Sequence, residues 1–339
     1  MNQFIPPPVY CPFPSEYHPA VDVVERHSQE WVLRFRLVQA GGAFERFRAA
    51  RFAWLNARAA ARAEIADLAL LTDWVVWIFL LDDHFDEGVF GRSPARIETW
   101  IAQYLAILRG KNTPPITNGP TTNSLREWWS RVGERSTAAW RERFISVAED
   151  YFAGCRWEAQ NRATGHFPGL AEYVVMRRQT SALRTVFTLG ELTEGVTLPA
   201  IVLGHPAIYE LADVANDAVA WFNDLVSFQK EIERGDPHNW ACVFARETGC
   251  STSAALHCLA EAHNDRVRRY IALEHALPTF DAITDRALRR YLHTFRGWMR
   301  GNIDWASDSG RYQNIPPTAA GYLDPIFGND ASLDAPANG

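Results

Sequence analysis

Residues 78–87 read IFLLDDHFDE: an unbroken apolar run from Trp74 to Leu81 ends in four carboxylates, Asp82, Asp83, Asp86 and Glu87. Spaced three and four apart on a helix, these acids gather on one side. Like charges held that close repel, and a bound cation offsets the repulsion. All-oxygen carboxylate ligands suit the hard, octahedral Mg²⁺ better than a soft metal. An acidic helix end turned into solvent would carry the same letters, so the rest of the chain has to decide between the two.

The chain has 339 residues, of which 47% are hydrophobic, enough to bury a sizeable core. Its 13 Trp, 19 Phe and 10 Tyr are available to line a cavity as well as to fill a core. A net charge of −6 argues against a nucleic-acid partner, because binding a phosphate backbone needs a clustered positive field. Positive charge is almost all arginine, with lysine only at Lys111 and Lys230. The cysteines, Cys11, Cys155, Cys242, Cys250 and Cys258, form no CxxC pair and are odd in number, which speaks for reduced thiols rather than a zinc site or a disulfide framework. The opening MNQFIPPPVYCPFP lacks the basic region and apolar core of a secretion signal. No apolar run approaches the roughly 18 to 20 residues that span a bilayer. The expectation is a soluble, cytoplasmic protein with no membrane insertion.

Prolines at 6, 7, 8, 12 and 14, interleaved with Phe4, Tyr10, Phe13 and Tyr17, mark residues 1–18 as an extended strap. Helical spacing begins after Pro19, with Val21, Val24, Trp31, Phe35 and Val38 near one face until Gly41-Gly42. The spacing predicts a second helix over 44–56 and a third from about Ala63 into the acidic cluster, ended by Gly88 and Gly91. Ser93-Pro94 starts the next. Residues 110–121, GKNTPPITNGPT, read as a loop inside one domain, since helices of the same character lie on both sides. Further helices are expected over 125–132, 137–162, 170–192, 206–233, 240–248, 252–276 and 280–307, with a turn through Pro199 and the loop GDPHN at 235–239. No repeats and no alternating strand patterns appear. The fold class is all-α: about a dozen helices bundled around a central cavity, in a single domain over 19–315 with a tail at 316–339.

Residues 223–231, NDLVSFQKE, supply a second constellation. Asn223, Ser227 and Glu231 recur every four residues and stack along one helix face with about 40° of drift per step. An amide oxygen, a hydroxyl and a carboxylate form a set of hard ligands for one Mg²⁺. Any one of them alone would read as solvated surface. Here Ala220, Trp221, Phe222, Leu225, Val226 and Phe228 make the surroundings apolar, and a polar stripe in such company has partners or a function.

Together, the DDxxD-type motif and the NDxxSxxxE motif resemble the two metal-binding motifs of bacterial class I terpene synthases. Prenyl chain-elongating synthases are similar at the first motif but carry a second aspartate-rich one, so Asn, Ser and Glu at that position point to cyclisation. Residues 176–181, MRRQTS, fall where the family carries a diphosphate-sensing arginine. The resemblance implies Arg177 as sensor, Thr180 as linker and Ser181 as effector, the last at a helix break beside the reacting carbon; Arg178 competes for the sensor role from one position away. Arg311-Tyr312 resembles the family's RY pair, which contacts the diphosphate, and Lys230 fits another diphosphate-contacting position, with a solvated helix lysine as its other reading. The similarity covers about residues 1–315, including the opening FIPPPVYCPFP.

The family likeness implies three Mg²⁺, held by Asp82 with Asp86 on one wall and by Asn223, Ser227 and Glu231 on the other. Glu87 completes the acidic cluster, and Asp83 is expected to support the site by pairing with an arginine. Arg177, Lys230, Arg311 and Tyr312 would hold the diphosphate, arginine being suited to bidentate phosphate contacts. Aromatic faces stabilise a passing carbocation by about 0.5–2 kcal/mol each. Phe79, Trp298 and Trp305 are the candidates, and Phe187 after them, each with ordinary core as its other reading. Either the Ser181 carbonyl region or released diphosphate would take the final proton. The expected partner is an isoprenyl diphosphate, farnesyl favoured over geranylgeranyl. A chain-elongating synthase, a silent helical binding protein and a homodimer stay open.

Overall fold

In the computed structural model, which describes residues 6–87, 93–112 and 116–312, every regular element is helical. Fourteen α-helices follow in order: α1 (Val21–Arg34), α2 (Gly42–Ala50), α3 (Phe52–Ala59), α4 (Ile65–Glu87), α5 (Pro94–Leu108), α6 (Pro120–Arg135), α7 (Ala138–Thr164), α8 (Leu170–Thr180), α9 (Leu183–Thr193), α10 (Ala200–Leu203), α11 (Pro206–Arg234), α12 (Trp240–Thr248), α13 (Thr252–His275) and α14 (Ala282–Asp308). A 3₁₀ turn, Gly310–Tyr312, follows α14. The tail expected over 316–339 lies outside the described residues.

Local chemistry sets these boundaries. Proline occupies the first turn of α5, α6 and α11, where its missing N–H costs nothing. Thr137, Asn239, Ser251 and Asp281 cap α7, α12, α13 and α14 by accepting backbone N–H groups of the first turn. Gly165 and Gly235 close α7 and α11 in the left-handed conformation.

Helix α4 is buried on all faces over most of its length, through Leu68, Leu71, Trp74, Val75, Trp77 and Leu81, and is wrapped by α1, α3, α6 and α9. Trp74 stacks on Trp128 at 4.6 Å and meets Phe144 edge-on at 5.0 Å. Burying indoles strands their N–H groups unless acceptors are provided. Trp74 donates to Thr185 Oγ1 at 2.7 Å, Trp77 to the Thr121 carbonyl at 3.1 Å and Trp128 to the Leu70 carbonyl at 2.9 Å. This packing holds the acidic end of α4 at the mouth of a cavity. Across it stands α11, supported by α8, α12, α13 and α14. Helix α14 approaches α3 so closely that a Cβ on Gly297 would stand 2.4 Å from the Ala59 carbonyl oxygen.

The strap runs over α13 and α14. Tyr10 N donates to Asn264 Oδ1, Phe13 meets Tyr270 edge-on at 5.8 Å, and Ser15 donates to Asp304 at 2.5 Å. Arg58 of α3 joins Ser15, Asp304 and Asp308.

Two expected helices are each divided. The helix predicted over 44–56 breaks at Arg51, whose φ is 52°. A continuous helix would point the Ala50 carbonyl at an N–H four residues on; here it accepts from Trp305 Nε1 and Ser309 Oγ, both at 2.8 Å. The helix predicted over 170–192 breaks between α8 and α9 at Ala182, which sits at φ 57°. Gly154 of α7 permits this close seam, since a Cβ there would meet Thr180 at 2.9 Å.

Candidate active site

A cavity of about 510 Å³ opens between the acidic end of α4, the second half of α11 and the 3₁₀ turn. A narrower lobe of about 130 Å³ adjoins it, lined by apolar groups that include Leu55, Val75, Ile78, Leu183, Val186 and Trp298. Phe79, Asp82 and Asn223 border both spaces.

On the α11 wall, Asn223, Ser227 and Glu231 face the opening in consecutive turns. Ser227 donates its hydroxyl proton to the Asn223 carbonyl at 2.7 Å, which leaves the Oγ lone pairs for the cavity. Asn223 accepts from Arg177 Nη2 at 3.0 Å and donates to the Tyr312 hydroxyl at 2.7 Å. Glu231 accepts from Asn239 Nδ2 at 2.7 Å. Burial first, and then the negative charge of Asp224, push the Glu231 carboxyl up to about 7. That is the signature of an anion lacking sufficient positive charge nearby.

On the α4 wall, Asp82 is half-buried and borders both spaces. Asp83 is engaged by two cations. Both of its oxygens accept from the Arg311 guanidinium at 2.9 Å, and Lys230 Nζ adds a contact at 3.2 Å. Burial alone would raise the Asp83 pKa, but Arg311 and then Lys230 hold it well below the usual carboxylate range. Asp83 thus gathers Arg311 and Lys230 at the end of α4. Asp86 and Glu87 fall within α4, and their side chains lie outside the described residues.

The two adjacent arginines diverge, as consecutive helical residues must at about 100° per residue. Arg177 turns to the cavity. Its Nε donates to Asp224 at 2.9 Å and its Nη1 to Thr180 Oγ1 at 3.3 Å, completing with Asn223 a fixed guanidinium. Arg178 turns away into a double contact with Asp217, at 2.7 and 2.8 Å, and a third with Asp213 at 3.1 Å. Ser181 follows Thr180 at the seam and donates to Asn216 Oδ1 at 2.8 Å. Thr180, Ser181 and Ala182 all border the narrow lobe.

Among the aromatics, Phe79 carries the Arg311 guanidinium on its face at 4.6 Å and borders both spaces, and Trp298 lines the narrow lobe. Trp305 does not line it. The Phe79 ring lies against Trp305 at 5.9 Å and reaches the lobe instead, while Trp305 is fully buried with its N–H on the Ala50 carbonyl. Phe187 likewise packs in the core, on Phe295 at 4.5 Å.

Several contributors were not singled out by the sequence reading. Asp224 binds Arg177, accepts from the Tyr173 hydroxyl at 2.6 Å and takes the Trp240 N–H at 3.1 Å. Its adjacency to Asn223 was the available signal. The loop read only as a helix end, GDPHN, places Asp236 against Arg162 at 3.0 Å and His238 at 2.7 Å, beside the cavity.

Among the described residues, no three His, Cys, Asp or Glu side chains converge as a preformed metal cluster. The amide oxygen, hydroxyl and carboxylate of the α11 wall, with the uncompensated charge on Glu231, nevertheless match the oxygen donors a hard divalent ion takes. Asp82 faces this set across the opening.

An all-α fold with an acidic wall opposite an Asn-Ser-Glu wall, over an apolar lobe, defines a class I terpene synthase. Residues 73–269 match the family described as terpene synthase family 2, C-terminal metal binding, and the chain belongs to it. It is 34% identical over 317 residues to the germacrene A synthase of Nostoc punctiforme, covering 93% of this chain and 97% of that protein. It is 32% identical over 314 residues to a 4-epi-cubebol synthase of Streptosporangium roseum, covering 92% and 94% respectively. In three dimensions it superposes on the crystal structure of an α-eudesmol synthase with a TM-score of 0.80 at 25% identity, over 90% of this chain and all of that one. Among the described residues no helix is long and apolar enough to cross a membrane.

Proposed function

We propose that this chain ionises and cyclises farnesyl diphosphate with three Mg²⁺, working in the cytoplasm. The observation that carries the reading is the fixed Arg177 guanidinium, tied to Asn223 of the metal wall on one side and bordering the apolar lobe on the other. Relatives named for cyclising farnesyl diphosphate support the substrate.

Asn223, Ser227, Glu231 and Asp82 would hold the metal ions. Bound Mg²⁺ supplies Lewis-acid charge to the leaving diphosphate. Arg177, Lys230, Arg311 and Tyr312 donate hydrogen bonds to the same oxygens, so the allylic C–O bond breaks with its electron pair on a neutralised leaving group. Arg311 and Lys230 begin this task already gathered by Asp83. Walls of Val75, Ile78, Leu183 and Val186 exclude bulk water from the resulting cation, and the faces of Phe79 and Trp298 stabilise it as it folds.

The test is an incubation of purified protein and Mg²⁺ with geranyl, farnesyl and geranylgeranyl diphosphate, read by gas chromatography and mass spectrometry. A cyclic fifteen-carbon product from farnesyl diphosphate is expected. Product from geranylgeranyl diphosphate alone would replace the substrate, and a longer linear diphosphate formed with isopentenyl diphosphate would replace the reaction.

A further inference from the structure

Among the polar side chains that border the narrow lobe, Asn302 is the one that comes from α14, apart from the proposed metal and diphosphate residues and from the Glu158, Arg162, Asp236 and His238 group. Asn302 lies one turn after Trp298 on α14 and borders the lobe. It is 6% exposed. Its Nδ2 donates to the Val219 carbonyl at 3.2 Å, and among the described residues this is its hydrogen-bond partner. That contact fixes the amide plane, because the flipped orientation would set two carbonyl oxygens against each other. Oδ1, able to accept two hydrogen bonds, is left without a donor. Val219 stands four residues before Asn223 on α11, so the amide is anchored about 6 Å along the helix from the metal wall. A second unsatisfied group stands one turn earlier on the same helix and borders the same lobe: the Trp298 indole N–H is buried with no acceptor.

An amide oxygen buried in an apolar wall without a donor costs about 1–3 kcal/mol. An ordered water removes the penalty where it finds at least two polar partners. A water that donates to Asn302 Oδ1 and accepts from Trp298 Nε1 has both.

We propose that Asn302 and Trp298 hold a water molecule at the apolar lobe, and that this water captures the final carbocation, so that the product is a terpene alcohol. The inference rests on the cyclase reading above. The water oxygen donates a lone pair to the cationic carbon and forms the C–O bond. The resulting oxonium loses one proton to the diphosphate released at ionisation. One water is consumed, one alcohol and one proton are formed, and nothing is oxidised or reduced.

The experiment incubates the full chain with Mg²⁺ and farnesyl diphosphate in H₂¹⁸O and measures both diphosphate release and the ratio of alcohol to hydrocarbon. The expected result is an alcohol carrying one ¹⁸O from the wild type, with that ratio falling about tenfold in Asn302→Leu and in Trp298→Phe, the value of one lost hydrogen bond to the water. Asn302→Ala is the second variant should the larger side chain unfold the protein. A purely structural Asn302 would lower total product and leave the ratio unchanged, which overturns the water site. Diphosphate release with only unlabelled hydrocarbon from the wild type also overturns it, while sparing the cyclase reading. Absence of any diphosphate release overturns both.

Discussion

Asp83, buried on α4, and Glu231, half-buried on α11, are carboxyl groups at the same opening, and desolvation pulls both toward protonation. At Asp83 two cations, Arg311 and Lys230, overcome that pull and keep the group ionised. Glu231 has a neutral amide from Asn239 as its close partner and Asp224 as an unfavourable neighbour, and its carboxyl is pushed up to about 7. One wall carries its compensating charge in the sequence. The other lacks it, as the proposed metal site requires, and the comparison separates a carboxylate already paired within the chain from one left to a cation from solution under that proposal.

The sharpest way to break this division is to remove a proposed metal ligand. Asn223→Ala deletes the proposed ligand oxygen and also the contacts to Arg177 and Tyr312. A fall of about a thousandfold in kcat/KM for diphosphate release is expected, with the helical circular dichroism retained. Activity near normal would remove Asn223 from the metal wall. The adjacent arginines come next. Arg177→Ala should lower kcat/KM about a hundredfold. Arg178→Ala should leave turnover within about threefold and lower stability by about 1–3 kcal/mol in thermal melts, because it uncovers Asp217. The reverse pattern would exchange their roles. The smallest effect concerns protons. In metal-free protein the Glu231 pKa is raised, so the group is protonated below about pH 7 and ionised above it. A metal must displace that proton, and Mg²⁺ affinity should fall by up to about tenfold for each pH unit below 7. Calorimetry in buffers of different ionisation enthalpy counts the proton, and an affinity independent of pH would show that the metal leaves Glu231 alone.

Asn223, Ser227 and Glu231 were legible in the sequence because four-residue spacing on a helix is local geometry that the letters alone encode. Helix type and order were legible for the same reason, together with the caps and prolines that punctuate them. The break at Arg51 was not. It arises because Trp305 and Ser309, far along the chain, claim the Ala50 carbonyl. Which of the two adjacent arginines turns to the cavity also needed three dimensions, since Asp224, beside Asn223, takes Arg177 and Asp217, two turns earlier on α11, takes Arg178. Trp298 and Trp305, seven apart, share a helix face in sequence, but Phe79 from α4 reaches the lobe in front of the second. Asp224 itself was visible as a letter, while its task is defined by Tyr173, Arg177 and the start of α12.

Arg58 takes Ser15 of the strap on one side and Asp308, just before the Arg311-Tyr312 turn, on the other. Ser15 and Asp304, 289 residues apart, share a hydrogen bond within the same knot. In mechanical terms the opening strap and the end of α14, just before the cavity-lining turn, form a single clasp. Asp308 stands four residues before Tyr312, so the strap is fastened within about one turn of the cavity's rim by residues that do not themselves border the cavity.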